Sequence, residues 1–251
     1  AALPGRRVLV AGATGAIGTV IAHELAAHGH PVAVHCRSRR DAAERLAASL
    51  PAPAGATHAV VEADLVDAAE VDAALALLAA EWGDVDDLVN AAWPAVPSAT
   101  VADADDAALD AAFAGARGHV PLCRAALPAL RRARGAVVFI GGALSTRLHP
   151  GLGLFGAGKA AATALTHVRA LEEGAHGVRA NVVSPGRVAT GDGDLAESDP
   201  TFAALDEIGA LRRVLPLPTP QDIARTVRWL LGPDATAVSG QTISLAGGER
   251  V

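Results

Sequence analysis

The feature that most constrains the fold is an apolar run, Val8–Ala11, that leads straight into a glycine-rich turn, Gly12–Gly18. An apolar pattern with helical spacing follows the turn at once. Glycines let a backbone approach a ligand closely, and the free N–H groups and the dipole of a helix N-terminus favour an anion. Strand, turn and helix together predict a cradle for a pyrophosphate. The predicted contact residues are Gly12, Thr14, Gly15, Ile17 and Gly18.

Apolar runs and helical patterns alternate along the rest of the chain, which is typical of βαβ units around a parallel sheet. Several of the runs are continuously apolar, as expected for strands covered on both faces. The predicted strands are Arg7–Ala11, Val32–Cys36, His58–Glu62, Asp87–Asn90, Ala136–Ile140, Arg179–Val183 and Thr242–Leu245. The predicted helices start near Ala16, Arg40, Ala68, Asp103, Gly118, Gly153 and Gln221. We therefore expect an α/β fold: one Rossmann-type domain over residues 1–251, with a doubly wound sheet of about seven parallel strands.

The least regular stretch of the sequence is 187–220. A loop of this length in a compact domain is often a substrate lid, and an ordinary exposed excursion is the alternative.

The composition argues against several classes of partner. The chain is 51% apolar and 19% charged, with a net charge of −6, so it has no polybasic surface for nucleic acid or membrane. No run is long enough to span a bilayer, and we expect no signal peptide. Two cysteines are too few for a disulfide framework or a zinc site. We expect a protein of the reducing cytoplasm with a small-molecule substrate and no metal.

The end of the second predicted strand favours one form of a dinucleotide. It reads Cys-Arg-Ser-Arg-Arg, and no carboxylate follows until Asp41. A carboxylate here would bind the ribose 2′-hydroxyl of NAD, whereas arginine and serine suit a 2′-phosphate. Arg37 and Ser38 therefore predict NADP, the alternative being an exposed basic helix start.

These features resemble the short-chain dehydrogenase/reductase superfamily over nearly the whole chain. Asp64-Leu65 resembles the adenine-contacting pair of that family, and Asn90-Ala91-Ala92 resembles its Asn-Ala-Gly motif. The stretch 185–190 resembles the Pro-Gly segment that holds the nicotinamide carboxamide. The cofactor contacts that the resemblance implies are Asp64, Leu65, Asn90, Ala91, Lys159, Pro185, Gly186, Val188 and Thr190. The glycine spacing, Gly-x-x-Gly-x-x-Gly, is that of the longer members rather than of the compact single-domain ones.

The resemblance breaks at the active site. Family members use asparagine, serine, tyrosine and lysine, of which tyrosine exchanges the proton and lysine lowers its pKa and binds the nicotinamide ribose. Here the lysine is Lys159, but phenylalanine (Phe155) stands at the tyrosine position and glycines at the other two (Gly142 for serine, Gly115 for asparagine). The chain has no tyrosine at all. Lys159 is the one lysine among 21 basic residues, which indicates that cofactor binding or lysine chemistry is retained.

Other side chains could replace the missing donors. His149 is the best candidate, because its loop is expected to border the nicotinamide pocket, and Ser145 and Thr146 share that loop. Arg117 and His119 on the preceding helix, and Arg187 for an anionic substrate, are further candidates. Each of them has an ordinary structural role as its alternative.

The altered site indicates three functions. The first is an NADP-dependent reductase that needs no tyrosine and acts on a conjugated C=C, a quinone-like ring or an iminium of a bulky apolar metabolite. The second is a non-redox cyclase, lyase or isomerase on the same scaffold, with Lys159 or His149 as its acid–base group. The third is a catalytically silent, cofactor-binding partner. The resemblance also implies a homodimer or homotetramer.

Overall fold

The protein forms a seven-stranded parallel sheet covered by helices on both faces, as predicted. The computed structural model describes residues 5–52, 57–189 and 214–248. The strands are β1 (Val8–Ala11), β2 (Val32–Cys36), β3 (Ala59–Glu62), β4 (Asp87–Asn90), β5 (Ala136–Ile140), β6 (Arg179–Pro185) and β7 (Thr242–Leu245). The described α-helices are α1 (Ala16–Ala27), α2 (Arg40–Ser49), α3 (Ala68–Glu81), α4 (Asp106–Ala133), α5 (Gly153–Glu173) and α6 (Pro220–Leu231).

The strand order places a ligand site between β1 and β4. The order is β3-β2-β1-β4-β5-β6-β7, so the chain leaves β1 in one direction to build β2 and β3 and in the other to build β4–β7. Ala11 pairs with Asn90 at the carboxyl ends of the two central strands. In an open parallel sheet, the crevice outside such a reversal point is where ligands bind.

Alternate residues of the central strands fill two separate cores. Val8 and Val10 pack on the face covered by α1 and α6, whereas Leu9 and Leu88 pack on the face covered by α3 and α4. All four side chains are fully buried. Burial of this kind stabilises the fold by about 1.5–3 kcal/mol per large side chain, and it fixes the strand ends that carry the site.

The prediction of two helices starting near Asp103 and Gly118 is wrong, because α4 runs unbroken from Asp106 to Ala133. The Asp105 carboxylate accepts the Ala108 N–H and caps its start. Pro121 and Pro128 lie inside the helix and each lacks a backbone donor. The buried face of α4 continues past both prolines, and this packing maintains the helix.

Smaller differences concern the ends of elements. Arg7 and His58 lie just outside the strands predicted to include them, and β6 continues two residues further, to Pro185. The last helix begins at Pro220, one residue before the predicted start. Most of the predicted lid, 190–213, lies outside the described residues, as does Thr190.

Apolar side chains are exposed on the outer faces of α4 and α5. They are Leu109, Phe113, Val120, Leu165, Val168 and Leu171. The homodimer or homotetramer stays a prediction. Within the described ranges, no helix is both long and apolar enough to cross a membrane.

Candidate active site

A cleft of about 360 Å³ opens at the carboxyl ends of β1, β2 and β4. One end lies between the glycine-rich turn and the loop after β2, and the other reaches the loop after β4 and the middle of α4. The predicted cofactor contacts that line it are Gly12, Thr14, Gly15, Arg37, Ser38, Asp64, Leu65 and Ala91. The structure thus brings the predicted phosphate, ribose and adenine contacts together around one cavity.

The glycine-rich turn admits no side chain at two of its three glycines. Gly12 has φ +71°, and a Cβ there would lie 2.6 Å from the Ala92 backbone. A Cβ on Gly18 would collide with the Gly12 carbonyl oxygen and lie 2.9 Å from Ala13 Cα. The turn is thus folded tightly against β4 and against the first turn of α1, which leaves its open side to a ligand.

His35, in β2, holds the glycine-rich turn in place. Its Nδ1 accepts the Gly12 N–H at 3.2 Å, and its Nε2 contacts the Ala63 carbonyl oxygen at 3.0 Å. A carbonyl oxygen only accepts, so Nε2 carries the proton and the ring is neutral. Burial lowers the pKa of His35, which keeps it in this form. His35 was not among the predicted site residues, although a histidine in an otherwise apolar strand beside the turn could have pointed to it.

The basic loop after β2 forms the rim of the cleft. Arg37, Ser38 and Arg39 are exposed and line it. The Arg39 guanidinium donates to the Thr14 backbone oxygen at 3.0 Å and to its Oγ1 at 3.1 Å. Arg39 therefore ties the loop to the glycine-rich turn, and Arg37 and Ser38 are the other polar residues of the loop at this rim.

Trp93 lies at the opposite end of the cleft, and its position depends on two glycines. A Cβ on Gly115 would lie 2.6–2.7 Å from Cε3, Cδ2 and Cζ3 of the indole. A Cβ on Gly158 would collide with the Ala112 carbonyl oxygen and lie 3.3 Å from Cζ2 of the indole. Gly115, which the resemblance aligns with the family's asparagine, therefore makes the space that the indole occupies.

The Lys159 ammonium is enclosed by aromatic rings. Its Nζ lies 4.0 Å from the Trp93 ring centroid, 5.2 Å from that of Phe139 and 5.7 Å from that of Phe155. It donates to the Ile140 carbonyl oxygen at 2.9 Å. Desolvation lowers the pKa of Lys159 from 10.5 to about 7. This amine can therefore exchange a proton near neutral pH.

Phe155 and Gly142, which the resemblance aligns with the family's tyrosine and serine, lie side by side. A Cβ on Gly142 would be 3.8 Å from Phe155 Cε1, an ordinary contact. Gly142 has φ −178°, an extended backbone that any residue adopts. The backbone geometry for a serine–tyrosine pair is therefore present without the hydroxyls.

The hypothesis that His119 replaces the missing donor is wrong. His119 is fully buried, its Nδ1 accepts from Asn90 Nδ2 at 2.9 Å, and its Nε2 donates to Thr166 Oγ1 at 3.1 Å. The Thr166 hydroxyl in turn donates to Ala162 O. Burial lowers the pKa of His119 to about 3. Both ring nitrogens are engaged, so His119 joins β4, α4 and α5 rather than facing a substrate.

Several predicted residues do not line the cleft. The Asn90 carboxamide is buried between His119 and the Ala92 N–H. His149 Nδ1 contacts the neighbouring Pro150 carbonyl oxygen at 2.7 Å, and Thr146 and Arg117 are exposed. The remaining predicted residues outside the described lining are Ile17, Gly18, Ser145, Phe155, Lys159, Pro185, Gly186, Arg187 and Val188.

The lining also contains residues that were not predicted to belong to the site. These are His35, Cys36, Arg39, Val66, Ala92, Trp93, Pro94, Ala95, Ala114 and Gly118. Four of them, Cys36, Arg39, Val66 and Ala92, adjoin a predicted contact along the chain. Trp93 is the important omission, and a glycine at the asparagine position combined with a large aromatic residue after β4 could have revealed it.

Comparison with known proteins agrees with this geometry. The chain matches the family model described as enoyl-(acyl carrier protein) reductase over residues 12–249. It is 29% identical over 248 residues to the 3-oxoacyl-(acyl-carrier-protein) reductase FabG of Staphylococcus aureus, with 97% of both chains covered.

Solved structures give the same result. A dehydrogenase/reductase from Sinorhizobium meliloti is 30% identical, with a TM-score of 0.85 over 100% of this chain and 97% of that chain. A variant of a Serratia marcescens short-chain dehydrogenase/reductase is 26% identical, with a TM-score of 0.87 and 99% of each chain covered. The chain therefore belongs to the short-chain dehydrogenase/reductase superfamily of oxidoreductases.

Proposed function

We propose that this protein is an atypical NADPH-dependent reductase of activated acceptors: a conjugated C=C, a quinone-like ring or an iminium on a bulky apolar molecule. The observation that carries the proposal is the contrast between the two parts of its site. The glycine-rich turn and Lys159 are retained, whereas Phe155 and Gly142 stand where the family has its proton-donating and oxygen-binding hydroxyls. Electron-poor acceptors need those hydroxyls least, because their carbon already favours hydride addition. The description of the matching family model, an enoyl reductase, agrees with a conjugated C=C.

The cradle fits a nicotinamide dinucleotide. Gly12 and Gly18 leave no room for a side chain on the protein side of the turn. The free N–H groups at the N-terminus of α1 would bind a pyrophosphate in the cleft. Arg37 and Ser38 at the rim would take a 2′-phosphate, which favours NADP over NAD. Asp64, Leu65 and Ala91 would bound the adenine side of the cleft.

The bound cofactor would supply the hydride, and the residues of this chain would prepare the acceptor. Trp93 lines the cleft and, packed against the buried Phe139 and against Phe155, gives that end of the cleft an apolar wall that suits a flat substrate. Lys159 Nζ, with a pKa of about 7, can hold or release a proton next to that wall. His149 and Ser145 remain candidates for further donors from the loop after β5.

The same lysine favours a second candidate function, a non-redox lyase or isomerase. A desolvated amine with a pKa near neutrality suits acid–base work without hydride transfer. The two functions differ in whether NADPH is consumed.

The direct test mixes the protein and NADPH with menadione, 2-cyclohexenone or a cyclic imine and follows the loss of NADPH absorbance. We expect stoichiometric NADPH oxidation with at least one of these acceptors. Binding of NADPH without oxidation in any mixture would favour the non-redox enzyme or the silent partner, and the absence of NADPH binding would exclude the reductase.

The cofactor preference rests on Arg37. Replacing Arg37 with glutamate should weaken NADPH binding about 10- to 100-fold, because a charge-assisted hydrogen bond contributes about 1.5–3 kcal/mol. NADH binding should hardly change. Fluorescence titration with both nucleotides measures the two constants, and Arg45→Glu, an exposed change on α2 away from the cleft, is the matched control. Equal losses for NADPH and NADH would show that Arg37 does not contact the 2′-phosphate.

Restoring the two hydroxyls should restore ordinary ketone reduction. The double substitution Gly142→Ser and Phe155→Tyr places a hydroxyl on each of two residues that lie next to each other in the structure. A positioned acid contributes about 10²–10⁴-fold in rate. Turnover of ethyl acetoacetate with NADPH checks the gain. The same pair of changes combined with Lys159→Met is the control and should gain little, because the lysine would no longer support the tyrosine. An equal gain in both backgrounds would contradict a role for Lys159 beside the cofactor.

A further inference from the structure

The imidazole of His35 joins two loops that carry predicted cofactor contacts: the glycine-rich turn and the loop of the adenine pair, Asp64-Leu65. We infer that His35 is a positioning residue for the nucleotide, because its two ring nitrogens set the spacing between the turn and the adenine pair. His35 is only 2% exposed, so it acts through these loops rather than as a main contact of the ligand. This inference rests on the proposed NADPH binding and names a residue that determines its affinity.

The two loops leave the sheet on either side of His35. Strand β2 lies between β1 and β3, and β1 ends at Ala11 while β3 ends at Glu62. Gly12 and Ala63 are therefore the first residues beyond the two neighbouring strands, where the pairing of the sheet no longer fixes the backbone. The imidazole contacts both of them, so it braces the two loops at the point where each one leaves the sheet.

The two bonds require opposite roles of the two ring nitrogens. Nδ1 accepts the Gly12 N–H at 3.2 Å, and Nε2 donates to the Ala63 carbonyl oxygen at 3.0 Å. One neutral tautomer of histidine meets both requirements at once. An asparagine side chain could accept from Gly12, and a glutamine side chain could reach Ala63, but each of them would make only one of the two bonds.

The Ala63 end of the brace determines where the adenine pair lies. Asp64 follows Ala63 directly, and its Oδ1 accepts the Val66 N–H at 3.1 Å, so the pair belongs to a hydrogen-bonded turn attached to Ala63. Gly12, Asp64 and Leu65 all line the same cleft. Adenine and pyrophosphate are joined covalently in a dinucleotide, so both loops must be in place together. A brace that orders them before the ligand arrives lowers the entropic cost of binding.

Two variants that each keep one end of the brace test the inference, with calorimetric titration of two ligands. The ligands are NADPH and adenosine 2′-monophosphate, which carries the adenine and the 2′-phosphate but no pyrophosphate. His35→Asn keeps an acceptor for Gly12 and loses the bond to Ala63, so both ligands should bind about 10-fold more weakly. His35→Gln keeps the bond to Ala63 and loses the acceptor for Gly12, so NADPH should bind about 10-fold more weakly while adenosine 2′-monophosphate binds as to the wild type.

A second buried histidine provides the matched control. His30 is 1% exposed, its Nδ1 donates to the Arg6 carbonyl oxygen at 3.1 Å, and it does not line the cleft. His30→Asn should bind both ligands as the wild type does, whatever it loses in stability. Wild-type NADPH affinity in both His35 variants would overturn the inference. Equal losses for the two ligands in both His35 variants would also overturn it, because they would indicate a general loosening of the fold.

The imidazole ¹⁵N resonances of the wild type give a readout that needs no variant to fold. At pH 7 we expect His35 to carry its proton on Nε2 and none on Nδ1, both in the free protein and in the NADPH complex. A proton on Nδ1 in the complex would refute the inference, because Gly12 would then have no acceptor. A wild type that binds NADPH but oxidises none with any acceptor fails the proposed reaction and leaves the role of His35 standing, whereas a wild type that binds no NADPH refutes both.

Discussion

Replacing Gly18 with alanine is expected to abolish tight NADPH binding and to destabilise the fold. The added Cβ would collide with the Gly12 carbonyl oxygen, which is rigid backbone, so the glycine-rich turn would have to move away from α1. We expect the free energy of unfolding to fall by about 1–3 kcal/mol, as for other overpacked sites. The displaced N–H groups should lower NADPH affinity about 100-fold, which corresponds to about 2.7 kcal/mol. Urea denaturation and NADPH fluorescence titration measure the two effects.

The control for Gly18 is another helix-associated glycine with free space around it. A Cβ on Gly174 would meet nothing within 4 Å, and its φ is −57°, which suits alanine. Gly174→Ala should leave both stability and NADPH affinity close to those of the wild type. If Gly18→Ala binds NADPH as tightly as Gly174→Ala does, the turn is not the pyrophosphate site.

The second large effect is a loss of stability in mild acid, caused mainly by His119. Its pKa is about 3 in the folded protein and 6.5 as its ordinary value, so between these limits the unfolded chain binds a proton that the folded chain does not. Stability is therefore complete above pH 6.5 and decreases as the pH falls towards 3. Between pH 7 and pH 5 the expected loss from this one residue is about 2 kcal/mol. His30 and His35, whose pKa values are also lowered mainly by burial, change stability in the same direction.

The titration of Lys159 contributes little to the change in stability between pH 7 and pH 5. Its pKa is lowered from 10.5 to about 7, so its contribution to the pH dependence of stability lies chiefly between pH 7 and 10.5. Urea denaturation at pH 7 and pH 5 therefore reports mainly on the buried histidines.

A pair of histidine variants separates His119 from general acid effects. His119→Gln keeps a donor and an acceptor for Thr166 and Asn90 but removes the titration, so the loss between pH 7 and pH 5 should shrink by about 2 kcal/mol. At pH 7 this variant should itself be less stable by about 1–3 kcal/mol, because its hydrogen bonds are imperfect. His176→Gln, at an exposed site after α5, should keep the wild-type pH dependence. An identical pH dependence in both variants would contradict the assignment to His119.

The parts of the fold that depend on local pattern were predictable from the sequence. Each strand is a short apolar run bounded by turn residues. The glycines of Gly12–Gly18 are spaced as a tight turn between a strand and a helix requires, so this unit could be predicted from its local sequence. The single helix α4 was mispredicted because Pro121 usually ends a helix, whereas here tertiary packing prevails over that local preference.

The candidate site was predictable only where it is contiguous in sequence. Arg37 and Ser38 follow β2 directly, so their place at the rim could be inferred. The bond of Arg39 to Thr14 and the contact of Trp93 with Gly115 join residues that are distant along the chain, and a single sequence gives no register for such pairs. His119 could be interpreted as a donor because helical position alone does not tell whether a histidine side chain is buried.

The fit between Trp93 and Gly115 has a consequence for the mutational paths open to this chain. Serine can return at position 142 by a single change, because the space there is free. Asparagine cannot return at position 115 in the same way, since the new side chain would overlap the indole. Shrinking Trp93 first would instead open a void beside Lys159. An asparagine at position 115 therefore requires at least two coordinated substitutions, whereas a serine at position 142 requires one.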